Sequence, residues 1–168
     1  DEQHADIKGG GGVFVHYPEV SDEKAVASVR THVQNVFPGT KNVFARLQIS
    51  KERKIIDQSQ QKFKVAGGND HVFVNEVEIE NPELWSPDSP NLYELSVAIY
   101  ADNRLMDEYK QKIGIRKFSF QNNKLFINGK ETYLRGVNRH QEYPYLGYAI
   151  SNNANYRDAR KIKEAGFD

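Results

Sequence analysis

The residues with the most chemistry in this 168-residue chain stand near its C-terminus. Leu134-Arg135-Gly136-Val137-Asn138-Arg139-His140 gathers two guanidinium groups, an amide and an imidazole in one short run. A loop rich in Tyr and Pro follows, with Tyr143, Pro144, Tyr145 and Tyr148 before Ile150. An imidazole can donate a hydrogen bond from one nitrogen and accept at the other. By itself, His140 reads as a loop histidine satisfied by its neighbours. His4, His16, His32 and His71 make no ligand set: none has a second histidine three or four residues away, and no EF-hand carboxylate pattern exists. No metal and no cofactor is therefore expected. The absence of cysteine excludes disulfides, thiolate zinc sites and cysteine nucleophiles. Gly9–Gly12 lacks the Lys-Ser or Lys-Thr partner and the following helix of a phosphate-cradling loop, and reads instead as a flexible entry or a linker.

The bulk numbers exclude further classes. Lys plus Arg equals Asp plus Glu at 23 each, so no counterion-release argument for nucleic acid starts from the charge balance. No block of five or more like charges suggests an interaction tail. No apolar run approaches the roughly 18 residues needed to span a bilayer, so no membrane partner is expected. The acidic start Asp1-Glu2-Gln3-His4 has neither the basic nor the apolar region of a signal peptide. The compartment, periplasmic or cytoplasmic, stays open.

The elements that must position the C-terminal residues read as β for two thirds of the chain. Ala27, Val29, Thr31 and Val33 alternate with Ser28, Arg30, His32 and Gln34. The same period of two runs through Val43–Ser50 and Tyr93–Tyr100, with weaker runs at Val13–His16, Ile56–Val65, Val72–Ile79 and Glu108–Ile115. Such a period buries one face and wets the other. About seven short strands separated by turn signals point to an immunoglobulin-like antiparallel β-sandwich. Pro38-Gly39 and Gly67-Gly68-Asn69 supply fixed or positive φ. Asn81-Pro82 and Ser86–Pro90 mark a long crossing loop. Leu84 and Trp85 inside it either plug the end of the sandwich or present an aromatic for stacking on sugar.

After Arg116 the texture changes. Asn128-Gly129 between Leu125-Phe126-Ile127 and Lys130 is a type I′ hairpin signal. Thr132–Val137 reads as the return strand and its continuation. Tyr156, Ala159 and Ile162 recur at helical spacing, with Asn153 a candidate N-cap and Gly166 a candidate C′ residue. Asp158 is then expected in the first helical turn, favoured by the dipole. Strand, loop and helix make one βα unit, and the best division lies near residue 120.

Three segments carry a resemblance: Leu84-Trp85-Ser86-Pro87 through Pro90-Asn91-Leu92-Tyr93 with Gly114-Ile115-Arg116; Ile127-Asn128-Gly129-Lys130; and Leu134–His140, followed by Tyr143-Pro144, Gly147, Arg157-Asp158, Ile162-Lys163 and Gly166-Phe167. In this order they resemble the junction in family 2 glycoside hydrolases, where a sandwich feeds the first βα unit of a (β/α)₈ TIM barrel. Arg-Gly-Val-Asn-Arg-His is most like the β-galactosidases, with β-glucuronidases and β-mannosidases as related alternatives. Gln141 departs from the Glu many members carry there.

The resemblance implies an all-β sandwich domain over residues 1–119 and a truncated start of the barrel over 120–168. It implies that His140 lines the sugar pocket of the parent enzyme and hydrogen-bonds a hydroxyl, its donor and acceptor nitrogens suiting a vicinal diol. Arg135, Asn138 and Arg139 are expected to hold the strand end, although Arg135 can also pair with a carboxylate from elsewhere in the barrel. Retaining glycosidases need two carboxyl groups about 5–5.5 Å apart. In this family both are glutamates on later barrel strands, so no catalytic residue is expected here. The chain then reads as a scaffold piece of an enzyme acting on a β-galactoside or related oligosaccharide. The alternative is a carbohydrate-binding sandwich, with Phe44 and Tyr100 as aromatic candidates. Tyr133, Tyr143, Tyr145, Tyr148 and Tyr156 crowd the tail, and as exposed apolar surface they allow a homo-oligomer through the barrel stub.

Overall fold

The computed structural model describes residues 12–168; His4 and Gly9–Gly11 of the glycine run lie outside the described residues. The backbone divides into two compact units, Asp1–Phe118 and Ser119–Asp168.

The first unit holds seven strands: β1 (Val13–Val20), β2 (Lys24–Gln34), β3 (Lys41–Lys51), β4 (Lys54–Val65), β5 (Asp70–Glu80), β6 (Tyr93–Ala101) and β7 (Arg104–Ile113). They form two antiparallel sheets, ordered β1-β2-β5 and β4-β3-β6-β7. The period of two decides which side chains meet. Ala25, Ala27, Val29, Val77 and Ile79 from one sheet share a core with Leu47, Ile49, Leu95 and Val97 from the other. None of these is more than 2% exposed. Burying each Val, Leu or Ile contributes roughly 1.5–3 kcal/mol, so this interdigitated layer holds the sandwich together. Pro18 falls where the β1–β2 register shifts, between His16 and Glu19; an edge-strand bulge tolerates a residue with no N–H to donate.

The sandwich departs from the constant-type immunoglobulin arrangement in one strand. There the fourth strand would lie beside β5. Here β4 pairs with β3, from Lys41 opposite Val65 to Lys51 opposite Lys54. The cause is the turn: Glu52 and Arg53 have φ of 50° and 68°, the left-handed pair of a two-residue hairpin whose twist matches its strands. A chain reversing in two residues cannot cross to the other sheet. Asp102 and Asn103 (φ 49° and 64°) do the same between β6 and β7. The two sheets meet at one edge, where the Phe63 ring lies 5.0 Å from Phe73 and 4.4 Å from His71.

Loops that do cross are tied by side chains. Buried Asn35 donates through Nδ2 to the carbonyls of Gly39 (2.8 Å) and Val65 (3.0 Å), and its Oδ1 accepts from the Phe37 N–H. Its own backbone bonds Asn69 and Gly68, so one amide joins both predicted turns. In the crossing between β5 and β6, the Tyr93 hydroxyl accepts the Glu83 N–H at 2.8 Å. This has the form of the tyrosine corner of such sandwiches, at the start of the sixth strand.

The second unit is reached through β8 (Phe118–Gln121), which pairs in the order β10-β9-β8 with β9 (Lys124–Ile127) and β10 (Lys130–Glu131). Asn122-Asn123 and Asn128-Gly129 turn the chain with four consecutive-pair positive φ values, between 49° and 77°. The second of these is the hairpin expected from Asn-Gly. The expected strand over Thr132–Val137 does not form: the return strand ends at Glu131. A strand needs a ladder, and this segment is met by isolated backbone bonds instead: the Thr132 N–H donates to the Leu125 carbonyl at 2.8 Å and the Asp168 N–H to the Arg135 carbonyl at 2.9 Å.

Helix α1 (Asn152–Glu164) is capped by Ser151, whose hydroxyl accepts from the Ala154 N–H, and not by Asn153. Gly166 takes the C′ position with φ 87°. The bonds Gly166 N–H to Lys163 carbonyl and Phe167 N–H to Ile162 carbonyl complete a Schellman end. With the start at Asn152, Asp158 lies in the middle of the helix, and the first turn holds no acid. The dipole therefore does not explain it.

Candidate functional site

What explains Asp158 is a set of donors brought in by the loop. Arg139 reaches its Oδ2 with Nε at 3.1 Å and Nη2 at 2.7 Å. The Tyr143 hydroxyl donates to the same oxygen at 3.0 Å. Arg157, one residue before the aspartate, contacts Oδ1 at 3.3 Å through Nη2, and the same nitrogen donates to the Tyr143 hydroxyl at 2.6 Å. Charge-assisted bonds of this kind are the strong ones. Hydrogen bonding from Arg139, then from Tyr143 and Arg157, holds the Asp158 carboxyl below its usual range against a smaller opposing effect of burial. At neutral pH it is a fixed anion and a hub, unsuited to protonate a leaving group.

The loop on this hub is short and shaped. Tyr143 and Gly147 exchange both backbone bonds, at 3.1 and 2.9 Å. That closure leaves Tyr145 at φ 67° and fully exposed at the tip, a backbone region that bulky residues rarely enter. At the other end of the segment, Arg135 exchanges bonds with Asp168: its N–H donates to Oδ2 at 3.1 Å while its carbonyl accepts the Asp168 N–H. The Arg135 side chain stays extended, with Nε 3.8 Å from the carboxylate and most of its surface in water.

His140 sits next to the pinned Arg139. Its side chain is exposed and has no hydrogen-bond partner among the described residues, so both ring nitrogens are available to a ligand. Asn138 is exposed as well. Of the residues expected to hold the strand end, the structure thus ties Arg139 by its side chain and Arg135 by its backbone. Among the described residues no group of three or more His, Cys, Asp or Glu side chains could hold a metal ion. The part played by Tyr143 and Arg157 was not legible beforehand. They meet across a loop of irregular backbone, where no periodicity sets which side chains face each other.

In the first unit, the half-buried Trp85 ring is already engaged by its neighbours. The Trp85 backbone N–H donates to the Ile115 carbonyl at 2.8 Å, the Arg116 guanidinium lies 4.7 Å over the ring, and the ring fills the space beside Gly114. Leu84 packs against the core. Both residues plug the end of the sandwich.

Comparison with known proteins yields two contiguous family matches. The family described as Glycosyl hydrolases family 2 matches residues 12–116. The description Glycosyl hydrolases family 2, TIM barrel domain, matches residues 118–168. A β-galactosidase of Thermoanaerobacter pseudethanolicus is 42% identical over 54% of this chain and 12% of its own length. A β-galactosidase of Bacteroides ovatus is 30% identical over 94% of this chain and 19% of its own length. The crystal structure of a Bacteroides uniformis β-glucuronidase superposes with a TM-score of 0.85 at 29% identity, covering 93% of this chain and 19% of that one. The chain thus spans a fifth or less of the length of these relatives.

Proposed function

The chain belongs to glycosyl hydrolases family 2, and from that membership we propose that it is the sandwich domain and opening βα segment of a retaining glycosidase acting on terminal β-galactosides. Residues 1–119 serve as scaffold and residues 120–168 begin the catalytic barrel. His140 is the residue we assign to substrate. The observation that supports this most is the pinning of Arg139: the Asp158 hub fixes the backbone beside His140 while leaving its imidazole free. An immobilised neighbour and two open ring nitrogens suit a group that must meet adjacent sugar hydroxyls. Active sites in such barrels lie at the C-terminal ends of strands, and the family resemblance puts His140 directly after the segment that would become the first barrel strand.

We read the chain by itself as catalytically inactive, because the two carboxyl groups of a retaining glycosidase are expected on later barrel strands. Glu131, Asp158, Glu164 and Asp168 are each engaged by a cation, namely Lys124, Arg139, Arg160 and Lys163. Asp158 and Asp168, whose carboxyls hydrogen bonding holds below the usual range, stay ionised at neutral pH and cannot protonate a departing oxygen. A β-glucuronidase parent is the second reading, favoured by the backbone match to the Bacteroides uniformis enzyme.

The test uses the complete reading frame that contains this chain, assayed with 4-nitrophenyl β-galactoside and the matching β-glucuronide. Cleavage of the galactoside is expected, with His140→Ala lowering kcat/KM by roughly tenfold or more, the size of a lost charged or bidentate hydrogen bond. Preference for the glucuronide would replace the first reading by the second, and unchanged kinetics in the variant would remove His140 from the sugar site. Purified alone, the 168-residue chain should cleave neither.

A further inference from the structure

Outside the second unit, one surface of the sandwich combines aromatic, amide and unpaired cationic groups. It lies on the outer face of the four-stranded sheet, towards the end where β3 begins and β6 finishes. Strand register places Phe44 directly between Lys62 on β4 and Tyr100 on β6. The two rings stand 5.5 Å apart and tilted by 48°. Tyr100 is held by Arg46, which donates to its hydroxyl at 2.9 Å and lies 5.5 Å from its ring centre. The next row carries Asn42 opposite Lys64. Asn42, Phe44, Lys62, Lys64, Tyr100 and Asp102 line an open groove of about 590 Å³, within the usual range for small-molecule sites.

Charge selects the occupant. Asp102 is the one carboxylate among the groove's described lining residues, and Lys41 already neutralises it at 2.8 Å. Lys62 and Lys64 form no ion pair with any described residue, so the groove presents two uncompensated cations beside an aromatic pair. Lys62, Phe44 and Tyr100 occupy three neighbouring strands and therefore span about 10 Å, close to the reach of two linked pyranose rings. That is too short for the extended basic track that a single-stranded nucleic acid requires. Asn42 and the Tyr100 hydroxyl add the directional donors and acceptors that sugar hydroxyls demand.

We propose that this face of the sandwich binds an anionic oligosaccharide, with Phe44 and Tyr100 as the stacking surface and Lys62 and Lys64 as the carboxylate-recognising pair. The groove is built from first-unit residues alone, so the proposal does not depend on the role of His140 or on what the parent enzyme hydrolyses.

The test is titration of the 168-residue chain, followed by backbone NMR, with a tetrasaccharide of 1,4-linked galacturonate and with its neutral galactose counterpart. Saturable shifts at 42–44, 62–64 and 100–103 are expected for the acidic sugar, with a Kd on the order of 0.1–1 mM that weakens as salt is raised. The neutral sugar and the double variant K62Q/K64Q should each bind roughly tenfold more weakly, the scale of one lost contact of about 1.4 kcal/mol. Both lysines are exposed, so this variant keeps the fold. Phe44→Leu preserves apolar volume while removing the ring, and should weaken binding of both sugars. Equal affinity for the two sugars, no effect of K62Q/K64Q, or tighter binding of an oligonucleotide or a polyglutamate peptide at the same residues would overturn the proposal. So would the absence of saturable shifts.

Discussion

Asp158 has a pH dependence that follows from its partners. Its carboxyl is held low chiefly by Arg139, so its contribution to the folded state is complete above the unfolded value of about 4 and is lost as pH falls through the depressed folded value. Asp158→Asn should loosen the loop at 139–147 and the helix at neutral pH, seen as faster amide exchange there. The gap between variant and wild type should close below about pH 4, and a gap that persists to pH 2 would show that charge is not what the hub supplies. A second residue-scale case is Gly114, where an added Cβ would fall 2.9 Å from the Trp85 ring. Gly114→Ala should therefore cost about 1–3 kcal/mol in urea denaturation, as overpacking does. Neither effect was legible in the sequence. Trp85 and Gly114 are distant in the chain, and Asp158 looked like a first-turn acid only because Asn153 was the more obvious cap. The plug formed by Leu84 and Trp85 was legible, because two large apolar residues inside a polar loop have few other uses.

At the level of elements, the seven strands stood where period-two patterning put them, because that pattern is the same fact as having one buried face. What patterning does not contain is which sheet a strand joins. That choice fell to the left-handed pair Glu52-Arg53, residue types with no turn signature of their own, and it moved β4 to the sheet of β3. The same holds for the segment 132–137, whose texture is strand-like but which finds no ladder among the described residues. Where the turn chemistry was explicit, as at Gly67-Gly68-Asn69, the crossing formed as read, and Asn35 shows what secures it. This amide is 5% exposed and bonds the carbonyls of Gly39 and Val65. Asn35→Ala would strand those groups in a dry site, at a cost of about 2 kcal/mol, measurable as a lower urea midpoint with unchanged m. Tolerance of the substitution would mean that water replaces the amide and that the crossing is held by its glycines alone.

For the whole molecule, the two units differ in kind of stabilisation. The sandwich is an interdigitated layer with Leu47, Ile49, Ile79, Leu95 and Ile115 almost fully enclosed. In Ser119–Asp168 only Ile127 is buried, at 3% exposure, and helix α1 buries none of its residues. Hydrogen bonds exposed to water contribute little net stability, whereas buried apolar area is the main favourable term. The second unit should consequently open far more readily than the first, by local and not global unfolding. Native-state hydrogen exchange of the 168-residue chain tests this directly. Amides of the central strands β2, β3 and β6 should exchange only through global unfolding, and should lose protection together when Leu47→Ala removes about 2–5 kcal/mol from the core. Amides between 132 and 151 should exchange through local opening, well before those of the central strands, and should not respond to that substitution. Asp158→Asn should have the opposite selectivity. Uniform protection across both units, or a response of the 132–151 amides to Leu47→Ala, would mean that the chain folds as one cooperative body and that the hub around Asp158 draws its rigidity from the sandwich.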